Sequence, residues 1–335
     1  MRYLLLTAAV LSLAFGIASG DVARLTIGDV PRTYSHYLNA RAAALCAADA
    51  AAGGLSACFL NPALITRVRG VGGHASARYN IKERNYLPGG DDQLDASDRG
   101  FLFSQAVAVR STAPYYYGFA YSTPSYRSVE FSGTLGGELY DAEFSGGLRA
   151  FEVLLASAFG ENGEGGVGMA AGIVSLDEEA RVIRRGGAED SLESAKLNGI
   201  AASFAAGVVY DVTDWVSVGL GHRLGSGVEV DGEWGFAWPD DDTRPRTGKS
   251  NTQPMSVVGV RVRPVDRLAV FASYLHAWWQ EASSTLAAYP DPDRDVLGEA
   301  LGTVALGAEF VFPGERVALR TGGSAVVSGE AADTI

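Results

Sequence analysis

The stretch Ser203-Phe-Ala-Ala-Gly-Val-Val-Tyr-Asp-Val-Thr-Asp-Trp-Val-Ser-Val-Gly-Leu-Gly-His-Arg-Leu-Gly-Ser-Gly-Val-Glu-Val-Asp-Gly-Glu-Trp-Gly-Phe-Ala-Trp238 alternates as a β-strand does. Phe204, Ala206, Val208 and Tyr210 share one face, and Ser203, Ala205, Gly207 and Asp211 the other. After a turn at Val212-Thr-Asp214, even positions carry Val216, Val218, Leu220, Leu224, Val228, Val230, Trp234, Phe236 and Trp238. Odd positions carry Ser217, Gly219, Gly221, Arg223, Glu229, Asp231 and Glu233. At about 3.3 Å per residue, one register held that long outruns the strands of soluble sandwiches and predicts a wall projecting beyond a bilayer. Trp215 and Trp234, with Trp238 and Trp278, then fall where such walls carry aromatic girdles.

The same period extends in both directions. Phe101, Phe103, Val107 and Val109 oppose Ser104, Ala106, Ala108 and Arg110, and Pro114 marks a tight turn into Tyr115 to Ser122. Val68 to Tyr79 reads as a first, glycine-softened strand, and the polar run from Lys82 to Arg99 as a loop. Leu148 to Phe159 and Val167 to Ile183 form a hairpin around Glu161-Asn-Gly-Glu-Gly-Gly166. Gly163, Gly165 and Gly168 have dinucleotide-fingerprint spacing, but a strand follows where that motif needs a helix, so they mark a turn. Met255 to Arg263 and Leu268 to Gln280 repeat the pattern, and Thr303 to Phe312 with Arg316 to Thr321 close it, for about eleven strands. Phe271 and Leu275 make the inner side of their strand partly apolar, either as a lining for a hydrophobic passenger or as a seat for other parts of the chain. No apolar run of about 18 residues follows the N-terminus, so a chain of this kind crosses a membrane only as a closed antiparallel barrel.

One segment departs from this pattern. Arg41-Ala-Ala-Ala-Leu-Cys-Ala-Ala-Asp-Ala-Ala-Ala-Gly-Gly-Leu-Ser-Ala-Cys-Phe-Leu-Asn-Pro-Ala-Leu-Ile65 is alanine-rich and free of β-branched residues up to Ala52, which predicts a helix over 40–52. Gly53-Gly54 is expected to end it through a left-handed glycine, and Asn61-Pro62 to impose an extended turn. The run Cys58 to Thr66, following a helix that carries Asp49, resembles the N-terminal hatch of the FadL family, outer-membrane channels for long-chain fatty acids and other hydrophobic compounds. Phe204 to Arg223, its continuation through Gly232, Gln253 to Arg261, and Tyr274-Leu-His-Ala-Trp-Trp-Gln280 are similar to that family's later strands. The resemblance implies a fourteen-stranded barrel of which about eleven strands are visible here. It further implies an N-terminal helical hatch in the lumen whose key residues are Asp49, Asn61, Pro62 and Ala63, and a chain shortened at its C-terminal end.

Met1-Arg2 and the apolar run after it, with Ala18-Ser-Gly20, read as a secretory signal, giving residues 1–20 signal, 21–66 hatch and 67–335 barrel. Forty-two glycines, 14 tyrosines and 14 phenylalanines beside scarce lysine suit aromatic-belted hairpins. A net charge of −12, from 27 basic and 39 acidic side chains, argues against a nucleic-acid partner. The acidic groups, Glu178-Glu179 among them, are expected in solvated loops. Cys46 and Cys58 either close a disulfide in the oxidising periplasm or stay as two buried thiols. No Cys or His spacing suits a metal or haem, no triad is visible, and His36, His74, His222 and His276 stand apart, so neither cofactor nor enzyme activity is expected. The function expected is passive, hatch-gated uptake of a hydrophobic small molecule such as a long-chain fatty acid, with outer-membrane lipid around the wall of a diderm bacterium. The alternatives are a scaffold or surface antigen working through its loops, and a soluble secreted β protein.

Overall fold

The computed structural model describes residues 41 to 328, apart from 42–43, 46–47, 50, 90–91, 113, 136–137, 186–190, 239–243, 253, 278–300 and 314–316. Its strands are β1 (Val71–Gly89), β2 (Asp92–Arg110), β3 (Tyr115–Leu135), β4 (Glu138–Phe159), β5 (Gly165–Arg185), β6 (Ser191–Thr213) and β7 (Val216–Arg223). Then come β8 (Gly227–Trp238), β9 (Arg244–Asn251), β10 (Met255–Val265), β11 (Leu268–Ala277), β12 (Leu301–Val311) and β13 (Ala318–Ser328). Each of β1 to β6 pairs antiparallel with its successor; β7 pairs β10, and β11 to β13 follow, while β8 joins β6 to β9. β7 and β8 therefore run one after the other beside β6, and β10 and β9 one after the other beside them. Thirteen segments make eleven courses of wall, the number the alternation predicts. Among the described residues no ladder joins β13 to β1.

The outward face is apolar on course after course. Phe119 is 58% exposed, Met169 56%, Leu220 50%, Val258 49% and Leu306 59%. Inward neighbours are small or polar: Ser104, Ala106 and Ala108 on β2, Ala120 on β3, Ala170 on β5, Ser203 and Ala205 on β6. This reverses the distribution of a water-soluble sandwich, in which apolar patches of this extent are not left bare. At one rim the short turns lie beside exposed aromatics: Tyr115 and Tyr117, Trp215, Phe159 stacked on Tyr210 at 6.2 Å between ring centres, and Phe310 edge-on to Phe312 at 5.2 Å. Among the described residues, the exposed aromatics of this rim are tyrosines and phenylalanines together with Trp215. The side chains of Trp234 and Trp238 on β8, and all of Trp278, lie outside the described residues.

Three expectations are corrected. First, the 203–238 register is broken. Val218, Leu220 and Leu224 face outward, but Val228 and Val230 are buried on the inner side. The Leu224 N–H still donates to the Phe204 carbonyl in the β6–β7 register, but beyond it the ladder breaks, and the Ser226 N–H donates to Thr252 Oγ1 at 2.8 Å. The strand re-enters the sheet with opposite parity, and the neighbouring course breaks at the same level, at Thr252 and Pro254. Second, Lys82 to Arg99 is not a loop. β1 and β2 continue through it, with Lys82 opposite Asp98 and Tyr86 opposite Leu94, because the backbone ladder continues where neither face must be apolar. Strands of 19 to 23 residues over β1 to β6 are about twice the length a tilted crossing needs. Glu178 likewise belongs to β5 and points inward, 3% exposed. Third, the 40–52 helix is reduced. Helical conformation is described at Arg41 and Ala44, the Leu45 N–H donates to the Arg41 carbonyl at 3.0 Å, and Leu45, Ala48, Asp49, Ala51 and Ala52 are in turns.

Candidate functional site

Residues 41–68 lie against the inner face of the sheet. Val68 and Leu55 adjoin Gly72 on β1, Thr66 adjoins Gly166 on β5, Ala51 adjoins Gly219 on β7 and Gly259 on β10, and Leu45 adjoins Gly322 on β13. One short segment can touch both the first and last strands only if the sheet curls around it.

Its seat is made by glycine. Gly168, Gly207 and Gly221 stand level on β5, β6 and β7. A Cβ on Gly168 would come within 2.6 Å of the Ala63 nitrogen, on Gly207 it would strike Asn61 Oδ1, and on Gly221 the Leu60 carbonyl. Bare backbone at three adjoining positions lets Leu60 to Ala63 lie flat on the wall. Alanines complete the seat: Cys58, Phe59 and Ile65 pack with Ala106, Ala108, Ala120, Leu154, Ala156, Ala170 and Ala205.

The residues singled out from the sequence occupy this seat. Asn61 is extended (φ −133, ψ 92), as a residue before proline prefers, and accepts from the Ala63 N–H at 3.2 Å to cap the 3₁₀ turn Pro62–Arg67. Its amide nitrogen donates to the carbonyls of Ala51 at 2.7 Å and Val208 at 3.1 Å, joining the segment to itself and to β6. Pro62 begins the turn, where its missing N–H costs nothing, and Ala63 is fully buried. Asp49 is 1% exposed and accepts from Arg41 Nε at 2.9 Å. Burial holds its carboxyl above the usual range, and Arg41 only partly offsets this. Gly53 is needed for close approach rather than for a left-handed turn: its Cβ would come within 2.5 Å of the Asp49 carbonyl oxygen.

Four groups of charged contacts hold or flank the segment. Arg67 is paired with Asp211 at the end of β6, Nη2 to Oδ1 at 2.8 Å, and Ser217 donates to the same carboxylate. Arg261 donates to Ser217 Oγ at 2.8 Å. Arg41 reaches Glu309 on β12 at 3.2 Å, and Glu309 also accepts from Arg320. Arg223 lies nearer the middle, 1% exposed, against Glu152, Ser203 and the Phe59 carbonyl.

Phe271 and Leu275 are taken up by segment contacts. Phe271 clusters with Leu45 and Ala48 beneath the Arg41 guanidinium, 5.7 Å from its ring centre, and Leu275 with Ala51 and Leu60. Cys58 is a buried free thiol that burial and the Glu152 carboxylate make hard to ionise, while Cys46 lies outside the described residues. A buried apolar cluster that the sequence does not reveal lies on β4, β5, β6 and β8, where Leu148, Val174, Leu176, Leu197, Val228 and Val230 pack together, each 0–2% exposed, with no residue of the segment among them. Alternation alone shows that Val174 and Leu176 share a face of their strand. It does not show that the broken strand β8 brings Val228 and Val230 to the same patch. Among the described residues no group of three or more His, Cys, Asp or Glu is arranged to hold a metal.

Two solved structures share this architecture. A FadL homologue from Pseudomonas aeruginosa superposes with a TM-score of 0.61 at 14% identity, over 85% of this chain and 79% of that one. The Pseudomonas putida toluene transporter TodX gives 0.53 at 13% identity, over 82% and 80%. The chain has the FadL fold. No protein-family model matches the sequence, and no curated protein matches it. A FadL-type wall gives the exposed outer side chains a place: they face the hydrocarbon of a membrane.

Proposed function

We propose that the chain is an outer-membrane channel for passive uptake of hydrophobic small molecules, with residues 21–66 as its hatch and residues 1–20 as the signal that exports it. The observation that carries this reading is the division of the inner surface. One part is a glycine and alanine seat matched to segment 41–68, and the other is a packed apolar cluster of Leu148, Val174, Leu176, Leu197, Val228 and Val230, each 0–2% exposed, which an apolar ligand would part as it enters. Such a lumen is suited to an apolar passenger held by burial, and displacement of the segment would open a path past it. The names of both structural neighbours, a FadL homologue and a toluene transporter, support the same class.

Long-chain fatty acids fall within that class. Yet Arg41, Arg67, Arg223 and Arg320 each face a carboxylate of the protein, so the grip on a ligand comes from apolar area, at about 25 cal/mol per Å² buried. The test is fluorescence displacement on the purified barrel in detergent. A long-chain fatty acid and an uncharged hydrocarbon of equal length should bind within about an order of magnitude of each other, and Leu176→Asp should weaken both. Absence of binding by either would remove the reading.

A further inference from the structure

The hydrogen bonds around Arg223 form one buried unit. Glu152 on β4, Gly172 on β5 and Ser203 on β6 stand level across three strands. With no side chain at Gly172, Ser203 Oγ donates to Glu152 Oε1 at 2.7 Å across the intervening strand. Arg223, paired opposite Ala205 on β7, meets the same carboxylate with both terminal nitrogens, Nη2 to Oε2 at 2.9 Å, and its Nη1 lies 2.8 Å from Ser203 Oγ. The guanidinium is thereby fixed in plane and direction. What it points at is the hatch: Nη2 donates to the Phe59 carbonyl at 2.6 Å. Glu152, Ser203 and Arg223 are each 1–2% exposed, so water does not compete for these bonds.

We propose that Arg223, aimed by Glu152 and Ser203, is the latch that keeps the hatch seated. Phe59 is two residues before Asn61, and this bond joins the segment's main chain to a wall cation in the dry interior. A buried Arg–carboxylate pair contributes little to a barrel by itself, because two apolar side chains of similar volume fill such a site as well or better. Its use here is directional: it presents a charged donor to a carbonyl that would otherwise lose its partner on burial. Arg223 is thus a positioning residue for the gate. Its purpose rests on the transport reading, whereas the mechanical claim rests on the contacts alone.

Cys58, fully buried beside Phe59, supplies the reporter. A seated hatch shields its thiol, and an unseated one exposes it to a water-soluble maleimide. In a Cys46→Ser background reconstituted into liposomes, Arg223→Gln should raise the Cys58 labelling rate about tenfold to a hundredfold, the equilibrium change expected from losing a buried charged hydrogen bond. Arg223→Lys should lie between. Since Arg223→Gln leaves Glu152 as an uncompensated buried charge, the barrel itself could fail to assemble, and the double variant Glu152→Met with Arg223→Met then decides. It removes both charges, so the wall should keep or gain resistance to heat and urea while Cys58 labelling still rises tenfold or more. A folded double variant whose Cys58 stays as protected as wild type overturns the latch. The transport reading is read separately, by hydrophobic-probe binding to the same protein: protected Cys58 with normal binding removes the latch alone, and exposed Cys58 without binding in wild type removes the transport reading alone.

Discussion

Asn61 uses the whole of its amide in the seat. The two sides are chemically distinct: the nitrogen faces two carbonyl oxygens and the oxygen faces an N–H. Asn61→Ala should orphan those groups at about 1–3 kcal/mol each, showing as faster Cys58 labelling and altered uptake with an unchanged amount of barrel in the membrane. Asn61→Asp should be worse than alanine at neutral pH, since it sets a carboxylate oxygen against the Ala51 and Val208 carbonyls; equal behaviour of the two variants would remove the amide's role. Asp49 makes a pH prediction of opposite character. Its carboxyl is held above the ordinary 3.8 by burial, so the seated hatch binds the proton more tightly than a solvated hatch does. The contribution to seating is therefore complete below 3.8 and is lost as pH rises through the elevated value. Small-solute leak through the reconstituted protein should fall on acidification in wild type and be flat in Asp49→Asn. A leak that rises toward acid would contradict the assignment.

Among the structural elements, the level row Gly168, Gly207 and Gly221 controls how closely hatch and wall approach. Gly207→Ala or Gly221→Ala should push the segment off its seat at about 1–3 kcal/mol, the usual cost of overpacking, whereas Gly73→Ala, with nothing within 4 Å of the new Cβ, should be silent. Labelling of Cys58 in the three variants compares them directly. The row also shows what a sequence can and cannot convey. Gly207, Gly219 and Gly221 are visibly on one side of their strands, because alternation is local. That Gly168 stands level with Gly207 is a matter of register between strands about 40 residues apart, which no window of sequence contains. The high glycine content reads most simply as turns, and Gly160 and Gly163, with φ of +90 and +75, are indeed turn residues. The glycines of the seat serve a different end. The extended turn was legible in Asn61-Pro62, whose geometry is set by proline itself. The helix expected over Ala40 to Ala52 is not sustained: among the described residues Leu45, Ala48, Asp49, Ala51 and Ala52 are in turns.

For the molecule as a whole, the apolar side chains on the outside fix the environment, and the break after Leu224 decides which of them belong to it. Along the alternation, Leu220, Leu224, Val228 and Val230 are equivalent. In the fold the first two are 50% and 52% exposed on the outer face, and the last two are 0% and 2% exposed on the inner face. A lipid carrying a photoactivatable group in its acyl chain separates the two arrangements in single-cysteine proteins lacking Cys46 and Cys58. Leu220→Cys and Leu224→Cys should be labelled from the bilayer, and Val228→Cys and Val230→Cys should not. Labelling of all four would restore a single register and remove Val228 and Val230 from the lumen, and with them part of the apolar patch proposed for the ligand. The same parity predicts costs: Leu220→Arg should destabilise the barrel to urea by about 2–4 kcal/mol, as an arginine near the bilayer midplane does, while Val212→Arg near the aromatic rim should cost about 0–1 kcal/mol. That gradient needs both lipid and depth. A soluble β protein with the same sequence pattern would show no ordering by distance from the rim, so the pair of arginine variants tests the membrane assignment independently of any ligand.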